Sequence, residues 1–486
     1  MTRPGNLVVV MSDEHSGRHL GVAGHPVVRT PNIDRLAARG RRFTAAHTPS
    51  PICVPARASI ATGQWVHRIG HWDNALAYDG RIPGWGHRLQ AAGIRVESIG
   101  KLHYRDADLP TGFDRQHVPM HLAGGTGMIW ASVRDPLPDI DHRSKPRMIG
   151  ERVGPGESSY TAFDRTTARL ATDWLEDAAT RGDGPFVLFV GFVAPHFPLV
   201  APPEFAAMYP VDRVPPFKLR PADGHARHPW VEAMDAFWPH DAGFRDEDER
   251  RLAVAMYWAL CSYVDHHLGL IVETLERTGL AADTRLIYAS DHGDNLGARG
   301  LWGKSTLYRE SVEVPLIVAG PGIPAETVTA PVSLVDLHPT VLEGVGLPTD
   351  PDKPGRSLLS GPFDGARAVF SEYHAVGAPS GAYMVRKGRW KYHHYVGHPP
   401  ELFDLATDPE ETRNLADRPD LTETMRAMRA ALDAICDPDA VDARAKADQA
   451  ARVARSGGRE AALGVGTVGA TRRPRDSISS MKSPTS

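Results

Sequence analysis

Leu7-Val8-Val9-Val10-Met11-Ser12-Asp13-Glu14 is an apolar run that ends in two adjacent carboxylates. Five apolar residues without alternation read as a strand covered on both faces. Similar runs occupy Val96 to Ile99, Pro185 to Phe192, Thr284 to Ser290 and Pro315 to Ala319. Amphipathic stretches separate them, among them Ala168 to Ala178 and Leu252 to Thr278, and Pro31 to Gly40 reads as a helix with a Gly stop. This alternation predicts an α/β fold: a large, mostly parallel sheet flanked by helices. In such sheets ligands bind beyond the carboxyl ends of the strands. Asp13 and Glu14 fall at such an end, where paired carboxylates are costly unless a cation neutralises them. Ser290-Asp291-His292-Gly293-Asp294 stands at a second end, after Ile287-Tyr288-Ala289. Each pair alone also reads as a turn or a helix cap. Together, Asp13, Glu14, Asp291 and His292 make an oxygen-rich site with one imidazole. Ca²⁺ takes mostly oxygen ligands, whereas a His donor leans toward Mn²⁺.

Further polar groups follow other predicted strands. Gly100-Lys101-Leu102-His103 comes after Val96 to Ile99, and an extended segment points Lys101 and His103 to one side. Ala194-Pro195-His196-Phe197-Pro198 follows Phe192, and Gly303-Lys304 lies just beyond the Asp291-His292 turn. The run Pro51-Ile52-Cys53-Val54-Pro55-Ala56-Arg57-Ala58-Ser59 places a Cys two residues before a Pro and four before an Arg. By itself it also reads as a buried apolar Cys.

With 486 residues, 42% hydrophobic and 23% charged, the chain has the makeup of one large domain plus a smaller one. A net charge of -4 excludes nucleic-acid binding through a general basic field. Cys53, Cys261 and Cys436 are too far apart for a zinc signature or a disulfide framework. No stretch approaches the ~18 apolar residues of a membrane span, and no signal pattern precedes the first strand. The expected location is cytoplasmic, with no membrane partner. The stretches Met120 to Gly156 and Pro210 to Phe244 are rich in Gly, Pro and charge and read as irregular lids or subunit contacts. Ala382 to Tyr392 reads as a hairpin, continued by Glu401 to Leu405 and a helix from Leu421 to Ile435. The expected division is 1–366, a catalytic α/β domain; 367–436, a small α+β subdomain; and 437–486, an extended tail whose end, from about Thr471, is flexible.

These segments, taken in order, resemble the sulfatase family of the alkaline phosphatase superfamily. The resemblance adds Thr30-Pro31-Asn32-Ile33-Asp34-Arg35-Leu36, Gly388-Arg389-Trp390-Lys391-Tyr392 and Glu401 to Pro409, and covers roughly residues 5 to 435. With the Trp72-Asp73-Asn74-Ala75 turn, it lies nearest the bacterial choline sulfatases and phosphonate monoester hydrolases. It implies an alkaline-phosphatase-like fold and a sulfuric ester hydrolase. In that family the Cys-x-Pro-x-Arg core marks Cys53 for oxidation to formylglycine by a formylglycine-generating enzyme. The hydrated aldehyde attacks sulfur with one hydroxyl, and the other then expels sulfate. Asp13, Glu14, Asp291, His292 and the hydrate of residue 53 would hold one divalent metal ion. Arg57 would stabilise the hydrate, Lys101 and Lys304 would bind sulfate oxygens, His103 would take the proton that triggers release, and His196 would serve the leaving oxygen. Glu at position 14 and His at position 292 depart from the commoner residues and leave Ca²⁺ and Mn²⁺ both open.

The substrate would be a small-molecule sulfate ester of alkyl or aryl type. The alternative is a phosphonate monoester or phosphodiester hydrolase using the same nucleophile. A non-catalytic metal-binding homologue would have lost several of these residues, and all are present. For a choline leaving group, Trp72, Trp130, Trp302 and Glu372 are candidate cage residues. Relatives also imply a homo-oligomer, dimer or tetramer, with Arg444 to Gly469 as an intersubunit arm that begins as a helix.

Overall fold

The computed structural model describes residues 5–138, 149–150, 152–182 and 184–464. The predicted end of the tail lies outside them, as do parts of the stretch from Met120 to Gly156. The apolar runs form a sheet of eight strands: β1 (Asn6–Asp13), β2 (Gly40–Phe43), β3 (Arg95–Lys101), β4 (Arg115–Met120), β5 (Phe186–Pro195), β6 (Thr284–Ser290), β7 (Leu316–Ala319) and β8 (Glu326–Val328). Their order is β8-β2-β7-β6-β1-β5-β3-β4. The five strands from β6 to β4 run parallel. β7 is antiparallel to both its neighbours, within the mostly parallel sheet read in the sequence. The physical reason is its connection. The chain leaves β6 at Ser290 and re-enters at Leu316 opposite Ala289, on the same edge, without the crossover a parallel partner needs.

Side chains of β1 alternate between two cores. Val8 and Val10 pack among Ala171, Leu175 and Val264, whereas Leu7, Val9 and Met11 pack among Ala58, Leu337 and Val341. Burial on both faces explains the unbroken apolar run. The helices bearing on the site are α1 (Pro31–Ala38), α2 (Cys53–Thr62), α3 (Ser159–Arg181), α4 (Pro229–Phe237) and α5 (Glu247–Arg277). α4 lies inside the stretch read as irregular. It has Pro229 at its first position, a cap from the His228 side chain to Trp230 N–H, and buries Trp230, Val231, Met234 and Phe237.

A second sheet, antiparallel throughout, contains β9 (Ala368–Tyr373), β10 (Ala382–Lys387), β11 (Trp390–Tyr395) and β12 (Glu401–Asp404). α6 (Thr422–Asp433), α7 (Pro438–Arg455) and α8 (Arg459–Leu463) follow. Arg444 therefore sits within a helix that begins at Pro438. That helix packs on its own chain, through Trp72 Nε1 to Asp448 at 2.9 Å among other bonds. Among the described residues, no helix is long and apolar enough to cross a membrane.

Candidate active site

Four adjacent strands, β6, β1, β5 and β3, deliver polar residues at their carboxyl ends: Asp291 and His292, Asp13, His196, and Lys101 with His103. Cys53 opens α2 over the same edge and is buried. Its Sγ lies 3.1 Å from His292 Nε2 and 3.6 Å from Asp13 Oδ1. One ligand atom each from Asp13, Cys53, Asp291 and His292 fall within 4.8 Å of one another. His292 Nδ1 faces its neighbour's carbonyl, Gly293 O, at 3.1 Å. That bond assigns the proton to Nδ1 and leaves the Nε2 lone pair for the cluster.

Arg57, one helical turn after Cys53, ties the cluster together. Its Nε donates to Asp291 Oδ2 at 2.8 Å, Nη2 to Asp13 Oδ2 at 3.2 Å, and Nη1 to Lys101 O at 3.0 Å. Lys101 Nζ lies 2.6 Å from Asp13 Oδ2. Burial opposes the Asp13 charge, but Lys101, His196 and Arg57 hold the carboxyl well below the usual range. The same carboxylate acts on the thiol: burial and Asp13 push Cys53 up to about 12. A helix N-terminus normally favours thiolate; here burial first, and Asp13 after it, oppose that.

Glu14 behaves differently from the other expected ligands. Its backbone has φ 69°, in the left-handed region. Its Oε2 lies 2.9 Å from Lys304 Nζ and 3.4 Å from His196 Nε2, so its carboxylate groups with His196 and Asp13 rather than with Asp291 and His292. Its Oε1 is buried without a hydrogen-bond partner, and burial raises its pKa to about 8 against the pull of Lys304. A buried orphan acceptor beside a cluster of carboxylate, imidazole and sulfur donors is the chemistry of a cation seat. His196 Nδ1 sits 2.6 Å from Phe197 O, so its Nε2 is the atom turned toward Glu14. Burial and Lys304 hold the His196 imidazolium well below its ordinary range.

The cluster opens into a cavity of about 140 Å³ lined by Cys53, His103, His196 and Lys304. Its far wall is mostly apolar, with Met128, Met234, Phe237, Trp238 and Trp302. Of the four cage candidates, Trp302 alone lines it. Trp72 is buried against Asp448 and His374, Trp130 packs at a tilt against Trp238, and Glu372 is committed to His67 and His374. Large aromatic side chains fill cores as readily as cages, so composition alone did not separate these roles. Three residues not singled out in the sequence also shape the site. Asp164 accepts from Val193 and Ala194 N–H at 2.8 and 2.7 Å and anchors the strand end before His196. Asp294 accepts from Leu296 and Gly303 N–H and holds the loop bearing Lys304. Asn74 lines the cavity beside Cys53. Asp294 stood in the quoted Asp-His-Gly-Asp run and Asn74 in the quoted Trp72-Asp73-Asn74-Ala75 turn, neither with a role; Asp164 carried no local signal.

Residues 5–347 match the Sulfatase family. The chain belongs to the sulfatase family. Residues 297–437 also match the C-terminal region of N-sulphoglucosamine sulphohydrolase. The sulfatase chain is 32% identical to a choline-sulfatase of Rhizobium meliloti (strain 1021), over 92% of its own length and 90% of the relative's. It is 29% identical to human arylsulfatase K, over 86% and 80%. Among solved structures it resembles the phosphonate monoester hydrolase of Agrobacterium radiobacter, with a TM-score of 0.69 and 25% identity, over 89% and 95%. The fold is that of the alkaline-phosphatase-like superfamily, and the protein is an enzyme of the class that acts on sulfuric ester bonds.

Proposed function

We propose that this sulfatase hydrolyses sulfate monoesters of small, largely apolar alcohols, aryl esters foremost, with residue 53 oxidised to formylglycine over a divalent cation. One observation carries the reading. The Cys53 side chain shares a buried cluster with Asp13, Asp291 and His292, two ammonium groups stand beside it, and an apolar cavity opens from it. Asp13, Asp291, His292 and residue 53 would hold the cation, with Glu14 at its side. The oxygen donors suit Ca²⁺, and the imidazole favours Mn²⁺. When bound, the cation would supply Lewis acidity to a sulfate oxygen; the hydrated aldehyde would supply the attacking hydroxyl and a second hydroxyl for release.

The remaining roles belong to side chains. Arg57 aligns both Asp carboxylates. The Lys101 and Lys304 ammonium groups attract the non-bridging oxygens of a dianionic ester. His196, which lines the cavity, would serve the leaving oxygen, and His103 would act as the base for product release. The mostly apolar far wall of the cavity, with Met128, Phe237, Trp238 and Trp302, offers contact to an aromatic leaving group. Asp235, the acid at its wall, is paired to Arg227 at 2.6 Å, which argues for a neutral ring over a quaternary ammonium. The reading requires a partner enzyme that oxidises Cys53.

The structural likeness to a phosphonate monoester hydrolase supports a second reading, with an aryl phosphonate as substrate. A panel of aryl sulfate, choline sulfate and aryl phosphonate monoester, run with Cys53→Ala as control, decides between them. The aryl sulfate is expected to lead in kcat/KM by orders of magnitude, and the control to be inactive. A leading phosphonate selects the second reading, and an active control refutes both. Peptide mass analysis is expected to show residue 53 with oxygen in place of sulfur and two hydrogens fewer.

A further inference from the structure

α2, which bears Cys53, starts without a cap of its own. Its N-cap residue is Ile52, which has no side-chain oxygen, and Pro55 at its third position has no N–H. The Val54 N–H between them donates to Asn74 Oδ1 at 3.2 Å. Asn74 is thus a helix cap borrowed from a different segment, 20 residues on. With Oδ1 engaged, its amide nitrogen is left for the cavity that Asn74 lines alongside Cys53.

The Trp72-Asp73-Asn74 turn is held in turn by α7. Asp73 is fully buried. Its Oδ1 accepts from Arg452 Nη1 at 2.7 Å, and its Oδ2 from Gln449 Nε2 and Ser132 Oγ, each at 2.8 Å. Arg134 braces the same helix from behind, donating to Gln449 Oε1 at 3.0 Å. The buried stripe of α7 includes Asp442, Ala445, Gln449 and Arg452, at helical spacing. An apolar stripe would dock a helix as well or better, because buried ion pairs repay their desolvation poorly. A polar stripe whose donors converge on one carboxylate next to the catalytic helix has a positional role instead.

Resting on the reading of residue 53 as nucleophile, we propose that Arg452 and Gln449 are positioning residues for ester hydrolysis. Through Asp73 they fix Asn74, and through Asn74 the opening turn of α2, although Arg452 and Asp73 stand 379 residues apart in the chain. α7 is then part of the catalytic apparatus without touching substrate.

The test uses full-length enzyme carrying Arg452→Met, Arg452→Lys or Gln449→Leu. Met428→Ala, on α6 in the core of the C-terminal unit, serves as a control matched for destabilisation. Assays run well below the melting temperature of each variant. Arg452→Met is expected to lower kcat roughly ten- to hundredfold, as a misplacement near 1 Å costs about 10²-fold, while KM stays within about twofold. Arg452→Lys is expected to recover part of the loss, and Met428→Ala to keep wild-type kcat. Hydrogen exchange supplies a readout independent of turnover. The Val54 amide is expected to exchange faster in Arg452→Met and Gln449→Leu, and unchanged in Met428→Ala. Wild-type kcat with unaltered Val54 protection in Arg452→Met and Gln449→Leu overturns the proposal, as does an equal kcat loss in Met428→Ala. If wild-type enzyme cleaves no ester, the hydrolase reading fails while the exchange data still decide whether α7 positions α2. If Arg452→Met does not fold, Arg452→Lys and Gln449→Leu carry the same comparison.

Discussion

Replacing Arg57 by Leu removes the cation that holds two buried carboxylates apart and in register. In the structure its guanidinium makes three hydrogen bonds, to Asp291, Asp13 and Lys101 O. Asp13 keeps Lys101 at 2.6 Å, but Asp291 Oδ2 loses its guanidinium partner. Breaking a buried ion pair from one side costs about 3–5 kcal/mol. For 486 residues at about 2 cal/mol/K each, that lowers Tm by about 3–5 °C. Arg57→Lys keeps the charge but cannot span both carboxylates, and forfeits one of those two charge-assisted bonds, at about 1.5–3 kcal/mol. Both variants are expected to lose at least about 10²-fold in kcat, with Lys the milder in Tm. The assay is sulfate release from an aryl sulfate, with calorimetric melting in chelator and in excess divalent cation. The cation is expected to raise the Tm of Arg57→Leu more than that of wild type, since binding to the folded state stabilises by mass action and partly replaces the missing charge. An Arg57→Leu enzyme with wild-type kcat and Tm would refute the reasoning.

Lys304→Met is expected to cut kcat/KM for the aryl sulfate roughly 10- to 100-fold, the loss of one charged hydrogen bond of about 1.5–3 kcal/mol; an unchanged value excludes Lys304 from anion binding. Asp164→Ala orphans the N–H groups of Val193 and Ala194. It is expected to lower both Tm and kcat by loosening the approach to His196, with Asp164→Asn less severe; a lowered Tm at full kcat would show that the loop placement does not matter. Glu401 is buried, but hydrogen bonds from His393 and from Tyr308 and Tyr395 hold its pKa at about 2. A depressed carboxyl contributes stability that is whole above about pH 4.5 and is lost as pH falls toward 2, at most about 3 kcal/mol. Urea unfolding between pH 5 and 3 is expected to show that slope, and Glu401→Gln to flatten it; identical slopes in the two proteins would rule it out.

The centre of the site was legible because its residues sit at strand ends marked by apolar runs. Asp13, Asp291 and His292 needed little beyond the rule that parallel sheets work at their carboxyl edge. Cys53 needed the Pro and Arg that follow it. What the sequence hid was direction and distance. The positive φ of Glu14 sends its carboxylate to Lys304, and nothing in a dipeptide of two acids announces that turn. The antiparallel run of Leu316–Ala319 depends on which edge its loop returns to, and apolar composition is the same either way. α4 did carry a pattern, with buried positions 230, 231, 234 and 237, but Pro- and Gly-rich flanks masked it. α7 reads as a solvated tail because its inner stripe is Asp, Gln and Arg, and the acid those groups serve lies hundreds of residues upstream.

Asp13, Asp291, His196 and Lys101 stand on four neighbouring strands in the middle of the main sheet, so opening at a sheet edge leaves them in place, whereas opening of α7 would release the cap on α2. Heat inactivation would then run ahead of global unfolding wherever α7 opens first. A substitution that tightens the contact of α7 with Asp73 would therefore lengthen the working life of the catalyst more than one placed in the sheet.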